Sequence, residues 1–166
     1  MAGFTASWVH GNAVVAEQPA EDDGNVFEFN HFGWGTQIVL RPGSARWFHI
    51  PIPTPVFLDG KRMKLIRVFL QWEQIRGFAH SAHIEDAHLW DGRNRIAKAS
   101  DIGFKTSGFA TLPGHNTYEL RQSKEWAFGV GLSFKLAALG NVGGHFLEGS
   151  EAPVVVIGAA GADFEA

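Results

Sequence analysis

The chain has 166 residues, of which 45% are hydrophobic and 19% are charged, and its formal net charge is −3. This length and composition suit one globular domain with its own core, predicted over residues 1–166, and they exclude a disordered chain. The charge balance provides no basic stripe for nucleic acid, and the absence of cysteine excludes disulfides, a thiol nucleophile and cysteine-ligated zinc. No signal peptide opens the chain and no apolar run is long enough to cross a membrane, so we expect a cytoplasmic protein without a membrane partner.

Frequent Gly, Pro, Asn and Asp residues divide the chain into apolar runs of strand length. In the first half, strands are predicted over residues 4–10, 12–17, 35–41, 46–50, 64–72 and 79–90. The first two are predicted to pair with each other. In the strand over 64–72, one face is predicted to carry Ile66, Val68, Leu70 and Trp72. Pro51, Pro53 and Pro55 are expected to end central pairing, because proline has no amide hydrogen for the ladder. Residues 73–78 are long enough for one helical turn and no more.

The clearest alternation lies in the second half of the chain. Every second residue from 126 to 136 is apolar and is predicted to face the core: Trp126, Phe128, Val130, Leu132, Phe134 and Leu136. The opposite face is nearly bare, with glycine at 129 and 131, so another backbone or a flat ligand could approach it closely. Residues 153–158 form a continuous, mainly β-branched run, which predicts a strand buried on both faces.

Two Asp-Gly pairs, Asp59-Gly60 and Asp91-Gly92, predict tight turns at strand ends. Aspartate tolerates the left-handed backbone region and glycine occupies it freely, so the pair suits a type I′ hairpin. The second turn is predicted to join the strand over 79–90 to a partner over 95–98. Residues 100–116 are predicted to form a long irregular connection.

These elements predict an all-β fold. About nine short strands with long connections, and no alternation of strands with helices, favour an antiparallel two-layer β-sandwich of the Greek-key or jelly-roll type. A closed β-barrel is the alternative.

Several separated segments share a further likeness. They are Trp8-Val9-His10-Gly11, Trp47-Phe48-His49, Pro53-Thr54-Pro55-Val56, His88-Leu89-Trp90-Asp91-Gly92, residues 129–134 and Ala160-Gly161-Ala162-Asp163-Phe164. Together they resemble a family of small, uncharacterised proteins found chiefly in bacteria. The resemblance implies a compact β domain with no assigned activity, so it supplies no catalytic residue. His80 and His83 lie outside the pattern of that family.

The eight histidines raise the question of a metal site. Imidazoles with one carboxylate suit Zn, Fe or Cu, which makes His80, Asp86 and His88 candidate ligands, completed by His49 or His145. The spacing matches no defined template, and separate histidines bonded to backbone or water are the favoured interpretation. No cofactor is required by the sequence. Nor does any serine lie in a G-x-S-x-G nucleophile elbow.

Aromatic residues are the stronger indication of a binding surface. Most of the six tryptophans are expected in the core, but one exposed beside His or Asp would suit stacking on a sugar ring or another flat ligand. Trp8, Trp34 and Trp90 are the candidates. On the strand over 79–90, one face is predicted to carry His80, Ala82, Ile84, Asp86, His88 and Trp90. This face would line any ligand pocket, with His49 nearby, but exposure of the face to solvent is the favoured interpretation.

The sequence therefore favours a module that binds a small molecule or a carbohydrate without covalent chemistry of its own. Its predicted ligand-binding residues are His49, His80, Asp86, His88, Trp90 and Trp34. One alternative is an enzyme with a cupin-like or sandwich pocket, such as a metal-dependent oxidase or a cyclase acting on an apolar substrate. Another is a structural protein that assembles into a homo-oligomer through exposed strands and aromatic residues.

Overall fold

A computed structural model describes residues 4–17, 26–77, 81–98, 108, 116–139 and 152–166. Its described part contains thirteen strands and a 3-10 turn over Gly11–Ala13. In chain order the strands are β1 (Thr5–His10), β2 (Val15–Ala16), β3 (Val26–Phe32), β4 (Gly35–Leu40), β5 (Ala45–Ile52), β6 (Phe57–Leu58), β7 (Lys61–Arg62), β8 (Lys64–Arg76), β9 (Ala82–Asp91), β10 (Asn94–Lys98), β11 (Thr117–Glu125), β12 (Val130–Ala138) and β13 (Val154–Glu165).

The strands form two open antiparallel sheets and a small hairpin of β6 and β7. The six-stranded sheet has the order β11-β8-β13-β4-β3, with β1 also paired to β13, and the five-stranded sheet has the order β10-β9-β12-β5-β2. Many neighbours are far apart in sequence, so the chain crosses repeatedly between the sheets, as in Greek-key and jelly-roll sandwiches. The predicted two-layer antiparallel sandwich is confirmed, and the alternative of a closed barrel is wrong.

The core lies between the two sheets. Phe29 of the six-stranded sheet stacks on Phe48 of the five-stranded sheet with ring centroids 5.8 Å apart, and Phe48 stacks in turn on Phe134. The largest fully buried side chains come from both layers and include Trp72, Trp126, Phe48, Phe134 and Phe164. None of the helices in the described part of the chain is long and apolar enough to span a membrane.

Strand β13 organises the six-stranded sheet. It pairs with β8 on one side, and on the other side with β4 along its first half and β1 along its second. Val154–Ile157 are all buried, which confirms the prediction of a strand covered on both faces. Where β4 gives way to β1, Gly11 and Gly35 pack so closely on the carbonyl oxygen of Ile157 that neither has room for a side chain.

Two predictions about strand pairing need correction. Residues 4–10 and 12–17 do not pair with each other, because the 3-10 turn between them carries the chain from β1 in one sheet to β2 in the other. Pro51 does not end β5, which continues to Ile52. The backbone carbonyl of Trp47 points toward β2, and backbone groups alternate sides along a strand, so the backbone nitrogen of Pro51 points to the same side. Strand β2 does not extend as far as Pro51, so the missing N–H costs no hydrogen bond between these strands.

Two predictions about which residues face the core are also wrong in part. A register shift near Ile66 places Leu65 in the core instead, because a bulge exchanges the two faces of a strand. Phe128 is 74% exposed because it lies in the turn before β12, whereas Trp126, which also precedes that strand, is buried in the core as predicted. Val130, Leu132, Phe134 and Leu136 face the core as predicted.

The remaining elements agree with the sequence to different degrees. Asp59 and Gly60 both have positive φ, of 49° and 76°, which confirms the predicted turn. Asp91 ends β9, and the two-residue turn is Gly92-Arg93, one residue later than predicted. Residues 73–76 continue β8 instead of forming a helical turn, and no strand was predicted for β3 or β11. The predicted connection over 100–116 lies, apart from Gly108 and Asn116, outside the described residues.

Candidate functional site

The outer face of the five-stranded sheet gathers most of the predicted site residues. Central strand β12 pairs with β5 on one side and β9 on the other, which sets their residues in rows across three strands. The middle row is His49, Ser133 and His88. The row on one side of it is Trp47, Lys135 and Asp86, and the row on the other side is Pro51, Gly131 and Trp90.

A bulge in β9 decides which of its residues reach this face. The register with β12 shifts between Asp86 and Ile84, so the alternation changes phase at Glu85. Ala82 and Ile84 therefore belong to the buried core. The predicted shared face of these residues with Asp86, His88 and Trp90 is wrong, and the latter three lie on the outside of the sandwich. His80 lies outside the described residues.

An imidazole between two indoles forms the centre of the face. The ring centroid of His88 lies 4.6 Å from that of Trp47 and 5.9 Å from that of Trp90. Burial lowers the pKa of His88 from its ordinary value, although the Asp86 carboxylate opposes this shift, so the imidazole is neutral at physiological pH. Nε2 of His88 is 3.6 Å from Oδ2 of Asp86, which is too far for a hydrogen bond.

Two buried polar atoms of this cluster, Nε2 of His88 and Nε1 of Trp90, have no hydrogen-bond partner among the described residues. An unpaired buried polar group costs about 1–3 kcal/mol, so such groups call for a specific explanation. Binding of a polar ligand group is one such explanation.

Two lysines of the face have carboxylate partners. Lys98 Nζ lies 2.9 Å from Oδ2 of Asp86, and Lys135 Nζ lies 2.7 Å from Oε2 of Glu85. Burial raises the pKa of Asp86, but the hydrogen bonds from Lys98 and from the backbone N–H of Ala87 outweigh that effect and leave the pKa lowered. The carboxylate therefore stays ionised and holds Lys98 at the edge of the face.

His49 and Ser133 form a polar pair beside the indoles. Nδ1 of His49 and Oγ of Ser133 share a hydrogen bond of 2.7 Å, and Nε2 of the same imidazole lies 3.9 Å from Oε1 of Glu17. Ser133 was not predicted as a site residue. It stands opposite His49 only because β12 and β5 pair in this register, and local sequence carries no signal of that.

A slot with a glycine floor lies next to this polar pair. Gly131 separates Pro51 on β5 from Trp90 on β9, and the groove there has a volume of about 370 Å³. Adjacent strands are about 4.8 Å apart, so the two walls stand on backbones separated by about 10 Å. A flat ring that touches both walls needs wall atoms about 7–8 Å apart, which is twice the usual distance between carbon atoms in contact. A ring can therefore fit between the two residues, and the sequence signal for the slot was the bare face of β12.

Trp34 and a metal centre are not part of this arrangement. Trp34 is half exposed in the β3–β4 hairpin of the other sheet, where it stacks on Phe32 with ring centroids 4.8 Å apart. Within the described residues, no group of three or more His, Cys, Asp or Glu side chains could hold a metal ion. Of the predicted metal ligands, Asp86 and His88 are neighbours, whereas His80 and His145 lie outside the described residues.

Comparison with known proteins identifies no family: no family model matches the chain, and no curated protein shows significant similarity to it. The resemblance described above stays a prediction. Inferences about function therefore depend on the geometry of the site.

Proposed function

We propose that the protein binds a small ring-shaped molecule, with a sugar as the leading class, in the slot above Gly131. The ring would stack between Trp90 and Pro51, and its polar edge would meet His49 and Ser133. The protein would act as a binding module without covalent chemistry of its own.

The observation that carries this proposal is the missing side chain at 131, between Trp90 on one neighbouring strand and Pro51 on the other. A Cβ at this position would meet only Cβ of Trp90, at 3.6 Å, so packing does not require glycine here. Glycine inside a strand weakens the strand and often marks a place where a ligand approaches closely. Mostly apolar walls with a few polar groups at one end are typical of small-molecule sites.

Ser133, His49 and Glu17 also lie in the order of a nucleophile, a general base and an acid that orients the base, as in some hydrolases. Acyl transfer needs hydrogen-bond donors for the developing oxyanion. The neighbouring backbone N–H groups belong to β12, which pairs on both sides and uses them in the sheet. Binding is therefore better supported than hydrolysis.

Filling the slot tests the proposal. Gly131→Val should abolish ligand binding because its side chain occupies the space of the ring. It should also keep or slightly raise the melting temperature, since valine favours strands. Ligands found in a glycan array and a thermal-shift screen of the wild type would be titrated against the variant by calorimetry, with Ala97→Val, on the edge strand β10, as a control. Unchanged affinity in a folded Gly131→Val variant would contradict the proposal.

A further inference from the structure

The most exposed large apolar side chain in the described part of the protein is Phe128, at 74%. Its ring lies against Gly92, where an added Cβ would come within 3.1–3.3 Å of three of its ring and side-chain carbons. An exposed phenylalanine contributes little to stability, so its presence at this position calls for another explanation.

The backbone that carries Phe128 is tightly anchored. The buried carboxylate of Asp91 accepts hydrogen bonds from three consecutive N–H groups, those of Ala127, Phe128 and Gly129, at 3.0, 2.8 and 3.1 Å. The hydroxyl of Thr54 accepts a further one from Val130 at 2.7 Å. Hydrogen bonds to an ionised acceptor are about twice as strong as neutral ones, so this turn is rigid and presents the ring in one place.

A second groove of about 370 Å³ lies in front of this ring. It continues the slot directly, because Pro51, Gly92 and Gly131 line both. The floor of the combined groove runs along the bare face of β12 and the residue before it, from Ser133 past Gly131 to Gly129. The four residue steps from Ser133 to Gly129 span about 13 Å, which accommodates two sugar rings in a row.

The lining also limits the charge of the occupant. None of the described residues that line the two grooves is Lys, Arg, Asp or Glu. Lys98 and Lys135 are held by Asp86 and Glu85, and the exposed Arg95, opposite Trp90 on the edge strand β10, is not part of the lining of either groove. A charged sugar in these grooves would lose its hydration without gaining an ion pair from the lining residues, which disfavours binding.

We propose that the groove has two consecutive ring positions, one between Trp90 and Pro51 and the other against Phe128, and that it takes an uncharged oligosaccharide of at least two rings. This inference rests on the proposed function, since it extends the same slot. Phe128 would act only on the second ring.

The test compares ligands of one and two rings. A glycan array with neutral and uronic-acid-containing sugars would supply the best neutral disaccharide, and calorimetry would compare it with the methyl glycoside of each of its rings. In the wild type the disaccharide should bind at least about tenfold more tightly than the better monosaccharide, or about 1.4 kcal/mol. Phe128→Ala should reduce that ratio to about one to two while leaving the affinity for the monosaccharide unchanged.

The matched control is Phe57→Ala, which removes a phenylalanine of similar exposure, 58%, from the separate β6–β7 hairpin and should leave the ratio unchanged. If Phe128→Ala leaves the ratio intact, the second ring position is wrong, and if acidic glycans bind more tightly than neutral ones, the restriction to uncharged sugars is wrong. In either case the proposed function stands. If no sugar or other ring compound binds to the wild type, both fail.

Discussion

Asp91→Ala is expected to destabilise the protein by about 3 kcal/mol or more and to weaken ligand binding. The carboxylate is buried and accepts three backbone hydrogen bonds from the turn before β12. Alanine would leave these N–H groups without their acceptor, and each orphaned buried donor costs about 1–3 kcal/mol. At about 2–4 °C per kcal/mol for a domain of this size, the melting temperature should fall by about 10 °C.

The control for this change is Glu85→Ala. Glu85 also carries a carboxylate on β9, but half of its side chain is exposed and its partner is the surface group of Lys135. Exposed ion pairs contribute about 0–1 kcal/mol, so the melting temperature should change by no more than a few degrees. Thermal unfolding followed by circular dichroism measures both. An Asp91→Ala variant as stable as Glu85→Ala would show that the anchored turn is not important for stability.

Gly35→Ala is expected to destabilise the protein by about 3 kcal/mol or more through two separate effects. Gly35 has a φ of 145°, in a region that side chains rarely tolerate. In addition, a Cβ there would overlap the carbonyl oxygen of Ile157, a backbone atom of the central strand that cannot move aside without disturbing the sheet.

Gly33→Ala is the matched control, two residues away in the same hairpin. A Cβ at Gly33 would have no heavy atom within 4 Å, and its φ does not lie in the unfavourable region. Its free energy of unfolding should stay within about 0.5 kcal/mol of the wild type. Chemical denaturation of the two variants measures the difference, and equal stabilities would contradict the close approach of β4 to β13.

Local patterns predicted most of the strands but not where their alternation stops. The apolar period from 126 to 136 is real, yet only its part from Val130 onward lies in β12. Trp126 and Phe128 fit the period by position, but they lie before β12 begins. The turn before β12 is fixed by Asp91, 36 to 38 residues earlier in the chain. Such a long-range bond has no local signal, and Asp91 had been interpreted only as a turn former.

The candidate site shows the same limit. His49, Asp86, His88 and Trp90 were selected from their residue types, and pairing through β12 brings them to one sheet face. The bulge at Glu85 splits the face predicted from strict alternation, because one extra residue exchanges inward and outward positions, and it leaves Ala82 and Ile84 in the core. Ser133 and Pro51 could not have been selected, since their place in the site depends on register alone.

The most direct measurement of the central claim is a titration of the ¹⁵N-labelled protein with the best ligand from the screen, followed by NMR. Each of the six tryptophans provides one indole N–H signal, so the spectrum reports separately on the two outer faces and the core. We predict that the indole signal of Trp90 and the amide signals of Gly131 and Ser133 shift in proportion to saturation, while those of Trp8 and Trp34 do not move. Shifts centred on Trp8 or Trp34, with Trp90 and Gly131 unchanged, would contradict the assignment of the site.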